Sequence, residues 1–527
     1  GMFAFGMWDR KKHNLILARD RIGEKPLYFG WQGKGDKKTF LFSSELKALK
    51  IHPEFNREIN RNAIALQLRH NCIPAPYSIY KDIYKLLPGY YIELNNNDLK
   101  KGNLPLSKVY WSLSETAIYG SNNQLLLNET DIQNNLEDQL KLSVKKQMIS
   151  DVPIGAFLSG GIDSSTIVAL MQSQSNHPVK TFTIGFSEND YSEAEYAKKI
   201  AKHLGTDHTE LYISSKMAID AIPKLSTIYD EPFSDSSQIP TFLVSQLAKQ
   251  HVKVSLSGDG GDELFCGYNR YTLSKKFWKI AHIMPTTFRK ILKSRIHSIS
   301  PKAWNKISHL LPGLDQYSNF GDKMHKGANT LEANTIQDLY YVLCSHWQNP
   351  SEVAINSKEP GTFLTKFKPK LTGLNDQQQM MALDFITYLP DDILVKLDRA
   401  AMASSLETRA PFLDHKLIEH AWKIPQSLKY RNGSGKWILR QILNNYIPKS
   451  LTERPKMGFA IPLDTWLRGP LRDWVEDLLD EKKLHQEGYL NPKLIKKKWS
   501  EHLSGNRNWQ SELWDVLMFQ SWLKENN

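Results

Sequence analysis

Two short loops hold the residues best suited to chemistry. The first, Leu158-Ser159-Gly160-Gly161-Ile162-Asp163-Ser164-Ser165, follows the short apolar run Ile154 to Phe157 and precedes Thr166 to Met171, apolar at helical spacing. A tight glycine-rich turn from a strand into a helix N-terminus points backbone N–H groups and the positive end of the helix dipole at a ligand, which suits an anion. Gly160 and Gly161 let a phosphate approach the backbone with no Cβ in the way. Asp163 would repel phosphate unless a divalent cation lay between, so it reads as a Mg²⁺ ligand. The loop lacks the lysine and the spacing of a Walker A loop. The plain alternative is a strand-to-helix turn capped by serine.

The second loop is Ser257-Gly258-Asp259-Gly260-Gly261-Asp262-Glu263, with three glycines and three acids in seven residues. As mere structure it would repel itself. Asp262 reads as the second Mg²⁺ ligand, opposite Asp163, because this ion is usually held by one or two carboxylates plus phosphate oxygens. Asp259 and Glu263 remain to orient a substrate or to act as general acid or base. Further on, Asp398, Arg399, Glu407 and Arg409 are charges set among small and apolar residues. Such charges are paired or functional, because burying them bare is costly. They are the candidates for substrate contacts, with an internal ion-pair network as the alternative. Lys456 stands in a loop bounded by Pro455, Gly458 and Pro462.

The elements that must position these loops follow from patterning. Residues 1–55 read as a β-meander: Met2 to Trp8, Asn14 to Arg19, Lys25 to Trp31 and Thr39 to Ser43 are strands. The chain thus starts inside a strand, and the expectation is the tail of a β-rich domain. Ile59 to Arg69 reads as a helix, and Ile79 to Tyr84 with Gly89 to Leu94 as a strand pair turning at Asn95 to Asp98. Tyr110-Trp111 reads as a last strand. Residues 116–129 are polar and read as a linker. From Thr130, taken as a helix cap, the pattern alternates. Strands are expected at Ile154 to Phe157, Val179 to Phe186, His208 to Ile213 and His251 to Leu256, with helices at Asp131 to Met148, Tyr191 to Leu204 and Gln238 to Gln250. That order argues for a parallel sheet with helices on both faces and a ligand at the carboxyl ends of the strands. Beyond about residue 270 the pattern is nearly all helical.

Bulk composition narrows the class. At 527 residues, 41% hydrophobic and 24% charged, the chain is long enough for two or three globular domains. The net charge of +12 is a small excess of 68 basic over 56 acidic residues, and a solvated basic surface explains it better than a nucleic-acid partner. Cys72, Cys266 and Cys344 fit no zinc or redox spacing, which makes a reduced, cytoplasmic setting the default. No apolar run of about eighteen residues points to a membrane partner, and the N-terminus lacks the layout of a signal peptide.

Taken together, Leu158 to Ser165, Ser257 to Glu263 and Asp398 to Asp414 resemble the asparagine synthetase family, most closely the glutamine-hydrolysing bacterial type. Gly1 to Phe5, Ala18 to Gly23, Lys25 to Tyr28 and Ser44 to Leu49 resemble the last part of that family's glutaminase domain. The resemblance implies an α/β fold of the PP-loop ATP pyrophosphatase kind, adenine nucleotide alpha hydrolase-like, with a helical C-terminal part over residues 130–527. Before it would stand the C-terminal part of an Ntn-type glutamine amidotransferase domain at 1–115. It also implies ATP-dependent amidation of aspartate through β-aspartyl-AMP, with ATP and Mg²⁺ as cofactors, aspartate and glutamine or ammonia as small-molecule partners, and room for a homodimer. Carried over residue by residue, Ser159, Gly160, Gly161, Asp163 and Ser164 hold pyrophosphate and Mg²⁺. Phe157, Leu158, Ile184, Ser257 and Gly258 line the nucleotide, and Asp262 completes the metal site. Glu263 handles the attacking ammonia with Asp259 beside it, and Lys456 stabilises charge on the acyl-adenylate transition state.

Two departures qualify the resemblance. The family's glutaminase nucleophile is an N-terminal cysteine, and Gly1 stands here, so no glutaminase nucleophile is expected in this chain and ammonia-dependent activity is expected of it. Cys266 replaces a usual glycine and reads as a small buried thiol. Two other readings keep the architecture: amidation of a sugar carboxylate in surface-polysaccharide synthesis, and PP-loop modification of tRNA. The latter lacks paired reactive cysteines. A non-enzymatic relative is disfavoured by the intact Asp163, Asp262, Glu263 and Lys456.

Overall fold

The computed structural model describes residues 1–186, 193–272, 278, 283–308, 320–453 and 461–526. It opens with the antiparallel pair β1 (Ala4–Asp9) and β2 (Asn14–Arg19), followed by the pair β3 (Tyr28–Gln32) and β4 (Thr39–Ser43). The strands near Ile79–Tyr84 and Gly89–Leu94 do not form the expected hairpin. They are β5 (Ile83–Lys85), which joins β3, and β6 (Tyr90–Leu94), which joins β2 and carries β7 (Ser107–Val109) on its other edge. The reason lies between them. The Leu86 amide donates to Leu27 O at 2.9 Å and the Gly89 amide to Asp20 O at 2.8 Å, so the chain crosses from one sheet to the other. The two sheets, β1-β2-β6-β7 and β4-β3-β5, bury Leu17, Leu27, Phe29, Leu86, Ile92 and Leu94 in a small core of their own.

Three local expectations are corrected by hydrogen bonds. Asn95 does not open a turn. It caps the helix Asn96–Lys101, accepting from the Asn97 and Asp98 amides while Asp98 returns a carboxylate to the Asn95 amide. The polar stretch after residue 115 is largely helical: Leu113–Asn122 buries Ala117 and Gly120 against the helix His415–Lys423, and only residues 123–128 lie outside helices before the next one. That next helix, Glu129–Gln147, is capped by Asn128, whose side chain accepts from the Asp131 amide at 2.9 Å, and not by Thr130.

The second half is a five-stranded parallel sheet in the order β10-β9-β8-β11-β12, with β8 (Ile154–Phe157), β9 (Lys180–Phe186), β10 (Asp207–Ile213), β11 (Val254–Leu256) and β12 (Glu407–Arg409). Large apolar clusters lie against it on both sides. One gathers Phe182, Ile184 and Ile213, the other Ala156, Leu158, Val254 and Leu256. The helices that bear on the site are α1 (Ile162–Gln172), α2 (Gln238–Lys249), α3 (Asp376–Ile386), α4 (Leu394–Ala403) and α5 (Trp437–Leu443). One wide π turn, Leu389–Ile393, feeds α4. The fifth strand, Glu407–Arg409, is unexpected in the part that reads as nearly all helical. Three residues are too few to show a period of two.

The two halves meet through buried ion pairs. Arg69 pairs with Glu359, Lys85 with Glu231, Lys25 with Asp398 at 2.5 Å, and Arg399 with Glu45 at 3.2 Å and Asp230 at 3.3 Å. No helix is long and apolar enough to cross a membrane among the described residues.

Candidate active site

The chain leaves β8 toward β9 and β10 on one side and returns to β11 and β12 on the other. The strand order therefore reverses between β8 and β11, and ligands bind at such a switch point beyond the carboxyl ends of the strands. Both glycine-and-acid loops emerge there, because β8 and β11 are adjacent and parallel, with Val254 opposite Ile154. The loops touch. A Cβ at Gly258 would lie 2.7 Å from the Ser164 amide, and one at Gly261 2.5 Å from Asp163 Oδ1. The second loop's glycines are thus needed for loop-to-loop packing as well as for any ligand.

A cavity of about 850 Å³ opens at this point. Phe157, Leu158, Ser159, Gly160, Gly161, Asp163 and Ser164 line it from the first loop, Ile184 from β9, and Ser257, Gly258, Asp259, Asp262 and Glu263 from the second loop. The first loop is internally braced. Ser159 and Ser164 hydroxyls lie 3.0 Å apart, and the Ser159 amide donates to Ser164 Oγ at 3.2 Å.

Lys436, at the start of α5, enters the same cavity. Its ammonium bridges Asp163 Oδ2 and, at 2.7 Å, Asp262 Oδ1. Burial works against its charge, but the two carboxylates outweigh burial and hold its pKa above the usual lysine value. A Cβ at Gly267 would collide with Asp262 Oδ1 and Lys436 Cε, so the lysine is threaded through a slot that glycine leaves open. Two carboxylates that reach one cation are a fitting donor set for Mg²⁺, which takes few protein ligands and completes its shell with water and phosphate. No group of three or more His, Cys, Asp or Glu able to hold a metal occurs among the described residues.

Lys396, from α4, also lines the cavity and donates to Asp235 Oδ2 at 2.7 Å and to Ser237 Oγ at 2.8 Å. Burial pushes the Asp235 carboxyl up, and the Lys396 ammonium with the Ser237 hydroxyl brings it below its ordinary value. Asp259 is raised by burial, opposed by Lys396. Glu263 is only 1% exposed, and burial, reinforced by the charge of Asp262, pushes it up to about 8, while a hydrogen bond from the Tyr268 hydroxyl opposes the shift. A carboxyl poised near neutrality in a cavity is suited to proton transfer.

Four sequence candidates lie elsewhere. Asp398 pairs with Lys25 and Arg399 with Glu45 and Asp230, at the seam with the antiparallel sheets. Arg409 pairs with Glu407 at 2.7 Å and donates to the carbonyls of Gln147 and Ile149. None of the four lines the large cavity. Asp398 and Arg399 thus take part in ion pairs between the two halves, and Glu407 and Arg409 form a separate, partly exposed pair. Lys456 falls within 454–460, outside the described residues.

Sequence reading named none of Lys436, Lys396, Asp235, Ser237 and Tyr268 as a site residue, although Lys396 belongs to the charged stretch that holds Asp398 and Arg399. Three had a visible signal. Gly433-Ser434-Gly435-Lys436 is a glycine-rich turn that ends in lysine as a helix begins, and Ser234-Asp235-Ser236-Ser237 is a small polar run before an apolar helix.

Comparison with known proteins bears on the same regions. The asparagine synthase family profile matches residues 135–524, and the glutamine amidotransferase domain profile matches residues 1–111. Glutamine-hydrolyzing asparagine synthetase 1 of Bacillus subtilis (strain 168) is 31% identical over 523 residues, which span 99% of this chain and 77% of that protein. A putative glutamine-hydrolyzing asparagine synthetase of Mycobacterium bovis is 32% identical across 99% of this chain and 76% of its own length. A second putative enzyme of that name, from Methanocaldococcus jannaschii, reaches 40% identity over 277 residues, 51% of this chain and 50% of that protein.

Proposed function

The chain belongs to the asparagine synthase family, and from that premise we propose that it is a carbon–nitrogen ligase converting aspartate to asparagine at the expense of ATP, with ammonia supplying the nitrogen. The observation that carries the reading is the pair of acid-bearing glycine loops brought to one cavity with Lys436 between Asp163 and Asp262. The switch-point cavity supports a PP-loop ATP pyrophosphatase, and the two antiparallel sheets support part of an Ntn-type glutaminase domain. The proposed limits are 1–115 for the glutaminase part, 116–129 for the connection and 130–527 for the synthetase.

In this reading the nucleotide lies along Phe157, Leu158, Ile184 and Gly258, and its phosphates face Ser159, Gly160, Gly161 and Ser164. Asp163 and Asp262 would hold Mg²⁺, which would supply charge neutralisation where pyrophosphate departs. The aspartate side-chain carboxylate attacks the α-phosphorus, and the bond to pyrophosphate breaks. Lys436 brings a fixed cation to the phosphate end, the part a lysine plays within a Walker A loop but delivered from a different element. Removing one such preorganised group typically costs about 10²–10³ in rate. Ammonia then attacks the acyl carbon of β-aspartyl-AMP, AMP leaves, and Glu263 receives a proton. Lys456 is assigned the developing charge at the acyl-adenylate.

Pyrophosphate release from ATP plus ammonium, with aspartate compared against a panel of carboxylates, tests the reading. Aspartate is expected to give the fastest release. No release with aspartate overturns the asparagine assignment.

A further inference from the structure

Tyr268 and Glu263 stand side by side in the cavity wall, and the Tyr268 hydroxyl donates to Glu263 Oε1 at 2.8 Å. Tyr268 is itself held. The Arg270 guanidinium lies 4.0 Å from the centre of its ring and 4.9 Å from that of Tyr388, within cation–π range of both. Arg270 is pinned in turn by Asp384 of α3: its Nε donates to Oδ2 at 3.0 Å, and a second nitrogen pairs with Oδ1. Asp384 is fully buried and also accepts the hydroxyls of Tyr271 and, at 2.5 Å, Tyr340. A continuous set of contacts therefore runs from α3 through Arg270 and the Tyr268 ring to the Glu263 carboxylate. A buried arginine–aspartate pair adds little net stability over an apolar packing of the same volume. Its effect here is directional, because a guanidinium held side-on through two nitrogens has its plane fixed, and with it the ring it stacks on.

We propose that Tyr268, clamped by Arg270 and Asp384, is a positioning residue for amide formation: it aims the Glu263 carboxylate at the amine that attacks the acyl carbon. In that step the nitrogen lone pair forms the C–N bond. The bond from the acyl carbon to the AMP oxygen breaks, its electron pair leaves with AMP, and a proton of the nitrogen passes to Glu263. The preceding step, attack of a carboxylate oxygen on the α-phosphorus with loss of pyrophosphate, moves no proton, so the clamp bears on the second step alone. The inference rests on the ligase reading above.

The two steps are separable on the full chain: carboxylate-dependent ATP–pyrophosphate exchange reports the first, and amide formation from ammonium the second. Tyr268→Phe removes one oxygen and keeps the ring. It is expected to leave exchange within about threefold of wild type and to lower amide formation at least about tenfold, since a misdirected catalytic group costs up to about 10²-fold. Arg270→Lys keeps the charge but loses the planar fork, and is expected to show the same split more weakly. Equal loss of both steps in Tyr268→Phe, or no loss of either, overturns the positioning role while the ligase reading stands. A wild-type chain that shows neither exchange nor amide formation overturns the ligase reading and this inference together.

Discussion

Lys436 is held with φ of +57°, in the left-handed region, at the first turn of α5. That backbone turn, the slot at Gly267 and the two carboxylates together fix its ammonium. Lys436→Met should lower pyrophosphate release by about 10²-fold, the typical loss for one preorganised charge. Without the amine, Asp163 and Asp262 face each other with less compensation, so the variant should melt lower than wild type in chelator and recover part of the difference on adding Mg²⁺, as thermal scans with and without the metal would register. Gly267→Ala should lower release by about as much as Lys436→Met, because its Cβ would displace the side-chain end of Lys436 or Asp262. Cys266 is the converse case. Its φ of +59° explains why a glycine suits the position. Cys266→Gly relieves about 1–2 kcal/mol of left-handed strain, set against about 0.4–1 kcal/mol of added unfolded-state entropy and the loss of a buried thiol. Chemical denaturation should find it within about 1 kcal/mol of wild type.

Helix α4 serves both halves of the protein. Lys396 and Leu397 line the cavity, while Asp398 and Arg399 grip Lys25, Glu45 and Asp230. Arg399→Ala would leave Asp230 buried with the Leu46 and Lys47 amides but without its guanidinium, and urea unfolding should show a loss of about 3 kcal/mol, the low end of the usual result of removing one partner of a buried pair. This is where sequence reading was least informative. Asp398 and Arg399 stood out because they are charges among small residues, but that pattern is shared by ligand contacts and by salt bridges between distant segments. The partner of Asp398 is Lys25, 373 positions away, and no local signal carries such a pairing. By contrast, strands β8 to β11 and both glycine loops were legible, since apolar runs and crowded glycines and acids are local features. Lys436 was not singled out, because only the fold brings it 273 positions back to Asp163.

Across the whole molecule, the C-terminal helix Gln510–Asn526 contributes a buried acid that ties the two halves together. Asp515 is fully buried and bonds His346 Nδ1 at 2.9 Å, and the His346 amide in turn donates to Arg69 O. Burial raises Asp515 to about 7, opposed by His346, while His346 is itself raised because the charge of Asp515 outweighs burial. Both groups hold protons more tightly folded than unfolded. Their contribution to stability is therefore full below the unfolded aspartate value near 3.8 and is lost as pH climbs through about 7 and the histidine range above it. Asp515→Asn should flatten that part of the stability–pH curve, measured by denaturant unfolding from pH 4 to pH 8. The overall plan, a β-rich N-terminal part ahead of a parallel α/β sheet and helices, followed from the switch in periodicity. The assignment of strands to two separate antiparallel sheets did not, because it is decided by single amide bonds at Leu86 and Gly89.

The π turn at Leu389–Ile393 has a consequence for how damage would spread. It joins Tyr388 in the cavity wall to α4, whose next turns are bolted to the antiparallel sheets. The turn is one backbone segment with no loop between Tyr388 and α4, so a displacement of α4 passes directly to Tyr388. An injury to the distant sheets, such as Lys25→Ala, should therefore announce itself as a weaker KM for the acceptor carboxylate at temperatures where circular dichroism still reports an intact fold. The cavity wall at Tyr388 would then report on a part of the protein that lies outside the cavity.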